Sequence, residues 1–217
     1  LPELVQRLTG KYAEPLSLDS SHAEAIAAAL PFCPGSPLVN SISGEADRME
    51  HLGPLCRQWG APFILLPIQG RKLPVKAADR IAIIENMLDK AAMLGIPRRL
   101  VLVDVLALAV ASKAEAAREG LETIRWCAAH GLILTGHILH EDNLSIQTSM
   151  TGSCMRYYEY MDYPGIDVLG ENTDIYWAAK QCSSVARQLG KKFVLSELYG
   201  ATGWDMTLDR YKKSGDW

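Results

Sequence analysis

Residues 14–43 read "EPLSLDSSHAEAIAAALPFCPGSPLVNSIS". Two short apolar runs each end in polar residues, and an alanine-rich stretch lies between them. Alanine is the strongest helix former and β-branched or apolar runs suit strands, so the segment reads as strand, helix, strand. The first strand carries Asp19 at its tip and the second carries Asn40 near its tip. Five further runs have the same character: "PFILLPI" (62–68), "RLVLVDV" (99–105), "LILTGHI" (132–138), "GIDVLGE" (165–171) and "KFVLSEL" (192–198). With "PLSLD" (15–19) and "PLVNSI" (37–42) they make seven. They are near-continuously apolar, the pattern of strands buried on both faces in a parallel sheet.

Amphipathic helical stretches separate the runs. "AADRIAIIENMLDKAAMLG" places Ile81, Ile84, Leu88 and Ala91 on one face, with Gly95 as a stop. "SKAEAAREGLETIRWCAAHG" ends at Gly131 and "IYWAAKQCSSVARQLGKK" at Gly190. Strand followed by helix, repeated at roughly 25–35-residue spacing, predicts an α/β fold of the (βα) TIM-barrel-like class, in one domain over residues 1–217. A doubly wound nucleotide-binding sheet is disfavoured, because no GxGxxG or GxxxxGK[ST] turn follows any strand. A closed barrel has eight strands. Either residues 1–12 supply an element without a strand signature, or the (βα)8 barrel is incomplete or recombined.

Composition narrows the function classes. The 217 residues carry a net charge of −3 with scattered basic residues, which excludes an electrostatic nucleic-acid surface. Five widely spaced cysteines without a CxxC pair argue against a thiolate zinc site and for reduced thiols in a cytoplasmic protein. No apolar run approaches the ~18–20 residues of a membrane span.

In a (βα) barrel the C-terminal strand ends line the ligand-binding mouth. Asp19, Asn40 and Asp104 stand at such ends, and carboxylates with an amide can read the N–H and NH₂ donors of an amino-pyrimidinone edge. The alternative reading makes Asp19 a helix cap and Asn40 a turn former. Glu197 and Glu171 end two later strands, and Glu141 follows His137 and His140. A carboxyl pair suits glycoside hydrolysis, while loop charges and helix-start acids account for the same residues structurally. His137 and His140 need not face together on an extended segment, so no metal is expected.

Residues 14–131 resemble the pterin-binding barrel of methyltetrahydrofolate:corrinoid methyltransferases, the methionine-synthase-like group, through "PLSLDSS", "PLVNSISGE", "QWGAPFILLPIQG" and "RLVLVDVLALAV". The resemblance implies a methyltetrahydrofolate or related pterin ligand held by Asp19, Asn40 and Asp104, and a corrinoid protein as partner. The family's later "LSN(I/V)SFG" stretch, whose Asn assists the methyl-bearing nitrogen, has no counterpart. Residues 132–217 resemble part of a glycoside hydrolase barrel related to β-galactosidases and rhamnosidases, through "LILTGHILHED", "MTGSCMRYYEYMDYPGIDVLGEN" and "KFVLSELYGATGW". That resemblance gives Glu197 the nucleophile position. Together they imply a chimera of two half-barrels joined near residues 129–132. Its expected function is a scaffold with a remnant pterin pocket and little or no turnover. A working methyltransferase and a glycosidase using Glu197 with Glu171 are the alternatives. Open barrel edges would allow a homodimer.

Overall fold

The computed structural model describes residues 1–11, 13–70, 74–106, 114–138, 143–169, 175–198 and 206–215. The chain divides into two compact units, Leu1–Val105 with Arg125–Ile133, and Leu106–Ile124 with Leu134–Trp217.

The first unit opens with helix α1 (Pro2–Thr9), followed by β1 (Ser17–Asp19), α2 (Ala23–Ala29), β2 (Leu38–Ser43), α3 (Ala46–Trp59), β3 (Phe63–Leu66), α4 (Ala77–Met93) and β4 (Val101–Asp104). Each strand pairs in parallel with the next, Leu18 opposite Val39, Val39 opposite Phe63 and Phe63 opposite Val101. Val39, Phe63, Val101 and Val103 are fully buried, as are Leu52 and Cys56 of α3 and Ile84 of α4. α3 stops where Gly60 turns to φ +62°, a left-handed conformation that costs glycine nothing. α4 carries Asp79 in its first turn and Lys90 in its last, each opposing the partial charge of its helix end.

α5 (Ala114–Ala129) and β5 (Ile133–Gly136) run across the division between the units. The second unit continues with α6 (Leu144–Met150), α7 (Cys154–Tyr158), β6 (Tyr163–Val168), α8 (Tyr176–Gln188), β7 (Leu195–Leu198) and α9 (Leu208–Gly215). β5, β6 and β7 pair in parallel. Asp162 anchors the start of β6: its Oδ2 accepts from the Leu134 N–H at 2.9 Å, and its own N–H donates to the Leu134 carbonyl at 2.8 Å. Ile138, Tyr158, Ile166, Ala178 and Cys182 form the core of this unit.

The architecture is α/β, of the TIM-barrel-like (βα) class, with seven parallel strands among the described residues rather than the eight of a closed barrel. All seven strands lie within the runs read from the sequence or within two residues of them. Of the N-terminal stretch, Pro2–Thr9 forms a helix, α1, with proline in its first turn. Two expectations need correction. Burial on both faces holds for β3, β4 and β5, but β1 is exposed at two of its three residues and β7 is only half-buried, since each pairs with a single neighbour among the described residues. The buried face of α4 is Ala77, Arg80, Ile84, Met87 and Ala91, so Ile81 and Leu88 flank it and a charged residue lies within it. No helix among the described residues is long and apolar enough to cross a membrane.

Gly165 of β6 lies close against the backbone of Gly136 on β5. A Cβ there would sit 2.9 Å from the Gly136 carbonyl oxygen, which is backbone and cannot swing aside. Gly165→Ala is expected to lower stability by about 1–3 kcal/mol, read as a shift in urea midpoint. Burial pushes the Cys56 and Cys127 thiols up to about 12. Thiolate is the reactive form, so pulse alkylation of native protein near pH 8 should label the part-exposed Cys33 first and leave Cys56 and Cys127 unmodified until denaturant is added, as read by mass spectrometry.

Candidate functional site

In the first unit, Asp19 is the last residue of β1 and Asn40 is its register partner on β2. Neighbouring positions of a parallel pair project to the same face, and here the side chains join: Asn40 Nδ2 donates to Asp19 Oδ2 at 3.0 Å. A carboxylate can only accept, so this bond fixes the amide's orientation and turns Asn40 Oδ1 away from Asp19. Between Val39 and Ile42 the register of β2 against β3 slips by one residue, an irregularity of the bulge type that falls on Asn40 and Ser41. Asp104 ends β4 and is 8 % exposed.

Two arginines hold the backbone just beyond these three residues. Arg48 of α3 donates from Nη1 to the Ser21 carbonyl at 2.8 Å, and from Nη2 to the Ser20 and Ser41 carbonyls at 3.3 and 2.7 Å. Ser20 follows Asp19, and Ser41 follows Asn40. Arg80 of α4 is fully buried; its Nε donates to the Pro74 carbonyl at 2.8 Å and its Nη1 to the Val105 carbonyl at 3.0 Å. Val105 follows Asp104. Sequence reading missed both arginines, which look like ordinary helix-surface cations; the signal is a long donor one turn into the helix that follows a strand end. Two open clefts in this unit, of about 610 and 630 Å³, are lined by other residues, among them Leu16 and Pro37 in the first and Gly44 and Asn86 in the second.

In the second unit, His137 directly follows β5, Asp167 is the penultimate residue of β6 and Glu197 the penultimate residue of β7. Their ligand-type atoms all lie within 4.8 Å of one another. His137 Nε2 is 3.1 Å from Asp167 Oδ2. Burial pushes the Asp167 carboxyl above its usual range, and the charge on His137 pulls it the other way. Of the residues read from the sequence, Asp19 and Asn40 are brought together, Asp104 caps a strand of the same unit, and Glu197 joins His137. Asp167 went unread, because it sits inside an apolar run; its place one residue from the strand end, level with Glu197, is the signal. Glu171, Glu141 and His140 lie outside the described residues.

The profile of the family described as "Pterin binding enzyme" matches residues 1–137. Among solved structures, the chain is similar to 7,8-dihydropteroate synthase from Vibrio fischeri ES114, with 12 % identity, TM-score 0.53 and coverage of 100 % of this chain and 72 % of that one. It is similar also to the Xanthomonas albilineans dihydropteroate synthase with 4-aminobenzoic acid, at 16 % identity, TM-score 0.56 and coverage of 100 % and 69 %. The same enzyme in complex with 7,8-dihydropteroate matches at 15 % identity and TM-score 0.53, with coverage of 100 % and 71 %. At these identities the likeness is one of fold.

The arginine contacts predict an order of stability. Arg80→Met strands the buried Val105 carbonyl, at about 1–3 kcal/mol, together with the half-buried Pro74 carbonyl. Arg48→Ala strands three carbonyls that water reaches, so its loss should be the smaller. Equilibrium urea unfolding of the two variants checks the ranking.

Proposed function

We propose, for a chain that belongs to the pterin-binding enzyme family, that Asp19, Asn40 and Asp104 bind the amino-pyrimidinone edge of a reduced pterin. The observation that carries this reading is the Asn40–Asp19 hydrogen bond at register-paired strand positions. It leaves an orienting carboxylate on β1 and sets the amide oxygen of Asn40 as an acceptor for a ring or amino N–H. Asp104 supplies a second, largely buried carboxylate, for which a pterin donor is a strong charge-assisted partner. Arg48 and Arg80 are positioning residues in this account, since they hold the backbone that carries the three side chains.

The methyl-bearing form of the ligand, methyltetrahydrofolate, follows from the resemblance of residues 14–131, and a corrinoid protein would then be the methyl acceptor. A composite origin rests on the two sequence resemblances alone, and the likeness of fold to dihydropteroate synthase extends over 100 % of this chain. The exposed β1 and half-buried β7, each with one strand neighbour among the described residues, support pairing of two copies through strand edges. Glycoside hydrolysis with Glu197 as nucleophile and Glu171 as partner rests on the resemblance of residues 132–217.

Calorimetric titration of the full chain with methyltetrahydrofolate and, separately, 7,8-dihydropteroate tests the reading. Saturable binding of one or both is expected, weakened about tenfold or more in Asp104→Ala and Asn40→Ala, the loss of one charge-assisted hydrogen bond each. Absence of binding by both pterins to folded protein would sink it. Methyl transfer to a cobalamin and cleavage of aryl glycosides, each assayed alongside, are expected to be slow or absent. Hydrolysis abolished by Glu197→Gln would instead favour the glycosidase reading.

A further inference from the structure

The His137, Asp167 and Glu197 side chains take no part in the pterin reading. They stand at the C-terminal ends of three successive strands, His137 just after β5 and Asp167 and Glu197 penultimate on β6 and β7, and their donor atoms cluster within 4.8 Å. We propose that these three residues form a binding site for one divalent first-row transition ion, of the manganese, iron, cobalt or zinc class, with coordination positions left open on the histidine side.

Register makes the first argument. Asp167 and Glu197 are direct partners across β6 and β7, so both carboxylates project from the same face at adjacent positions. Like charges directly opposite one another on neighbouring strands repel. His137 contacts Asp167 at 3.1 Å, and that pair alone would be an ordinary histidine–carboxylate contact. A dication between the three groups offsets both carboxylates at once.

Geometry makes the second. Nitrogen and oxygen ligands stand about 2.0–2.2 Å from such an ion, so neighbouring ligand atoms are about 3.0–3.5 Å apart. The His137 Nε2 to Asp167 Oδ2 separation of 3.1 Å already has that value. The widest separation in the cluster is at most 4.8 Å, and closing it takes a movement of about an ångström. Glu197 has three rotatable side-chain bonds with which to make it. The side chain of Asp167, 7 % exposed, is the rigid member, whereas that of His137 is 34 % exposed and marks the side from which an ion would enter.

The donor set makes the third. One imidazole and two carboxylates contain no thiolate, which disfavours copper(I) and other soft ions, while the imidazole nitrogen disfavours magnesium and calcium, which take oxygen shells. Three protein ligands are one fewer than a closed structural zinc site, and the remaining positions would hold water or a ligand oxygen. The site belongs to the second unit and is independent of the pterin proposal, so either can fail without the other.

The full chain, stripped with chelator and dialysed, is titrated with cobalt(II) and followed by visible absorption, then with zinc(II) and manganese(II) by calorimetry. One equivalent of cobalt(II) with ligand-field bands is expected. His137→Gln and Glu197→Gln are each expected to weaken binding by at least about tenfold. Both residues are partly exposed, so these variants should fold, which circular dichroism and the urea midpoint check; Asp167→Asn is the third variant where it folds. Failure of folded wild-type protein to bind any of the three ions below about 1 mM would overturn the proposal. Binding that is unchanged in both His137→Gln and Glu197→Gln would overturn it equally.

Discussion

A strand end is a place where ladder hydrogen bonding stops and carbonyl groups lose their partners. In the first unit Arg48 and Arg80 take over at such places, reaching from α3 and α4 to the Ser20, Ser21 and Val105 carbonyls just after strands, to Ser41 at the irregular step in β2, and to Pro74 ahead of α4. A buried carbonyl without a donor is costly, and a guanidinium can satisfy several at fixed angles, which a lysine ammonium on a flexible stem does less well. The consequence is positional. Asp19, Asn40 and Asp104 each precede a residue whose carbonyl is held by one of these arginines. Their backbone is therefore tied to the helices as well as to the sheet, which is the support that a binding group needs if its geometry is to be kept to a fraction of an ångström.

The fold was readable in the sequence because the strands are apolar in short runs and the helices are periodic. Those are the two signals that burial writes most directly. What escaped reading had weaker or contradictory signals. α6 and α7 are short and rich in polar residues, and they start on side-chain caps: Asn143 Oδ1 accepts from the Ile146 N–H and Ser153 Oγ from the Arg156 N–H. The caps were present as letters, but no apolar stripe followed them. The face of α4 was placed on its apolar residues alone, whereas the true face includes Arg80, whose burial the carbonyl groups around it make tolerable.

The candidate residues divide the same way. Asp19, Asn40 and Asp104 stood out because each is polar at the end of an apolar run. Asp167 did not, since "GIDVLG" reads as a strand interior and its partnership with Glu197 is a fact of register, which depends on how two strands slide against each other. His137 was noticed but paired in thought with His140, three residues on. Its contact is instead with a residue thirty positions away in sequence, on the neighbouring strand.

Strand pairing in the first unit also bears on how the protein is made. β1 binds β2, β2 binds β3 and β3 binds β4, so every partner is the next strand to leave the ribosome. Loop closure is short at each step, and none of these pairings waits for a distant piece of chain. Synthesis from the N-terminus can therefore lay down this sheet one unit at a time, each new strand adding to an edge that is already in place.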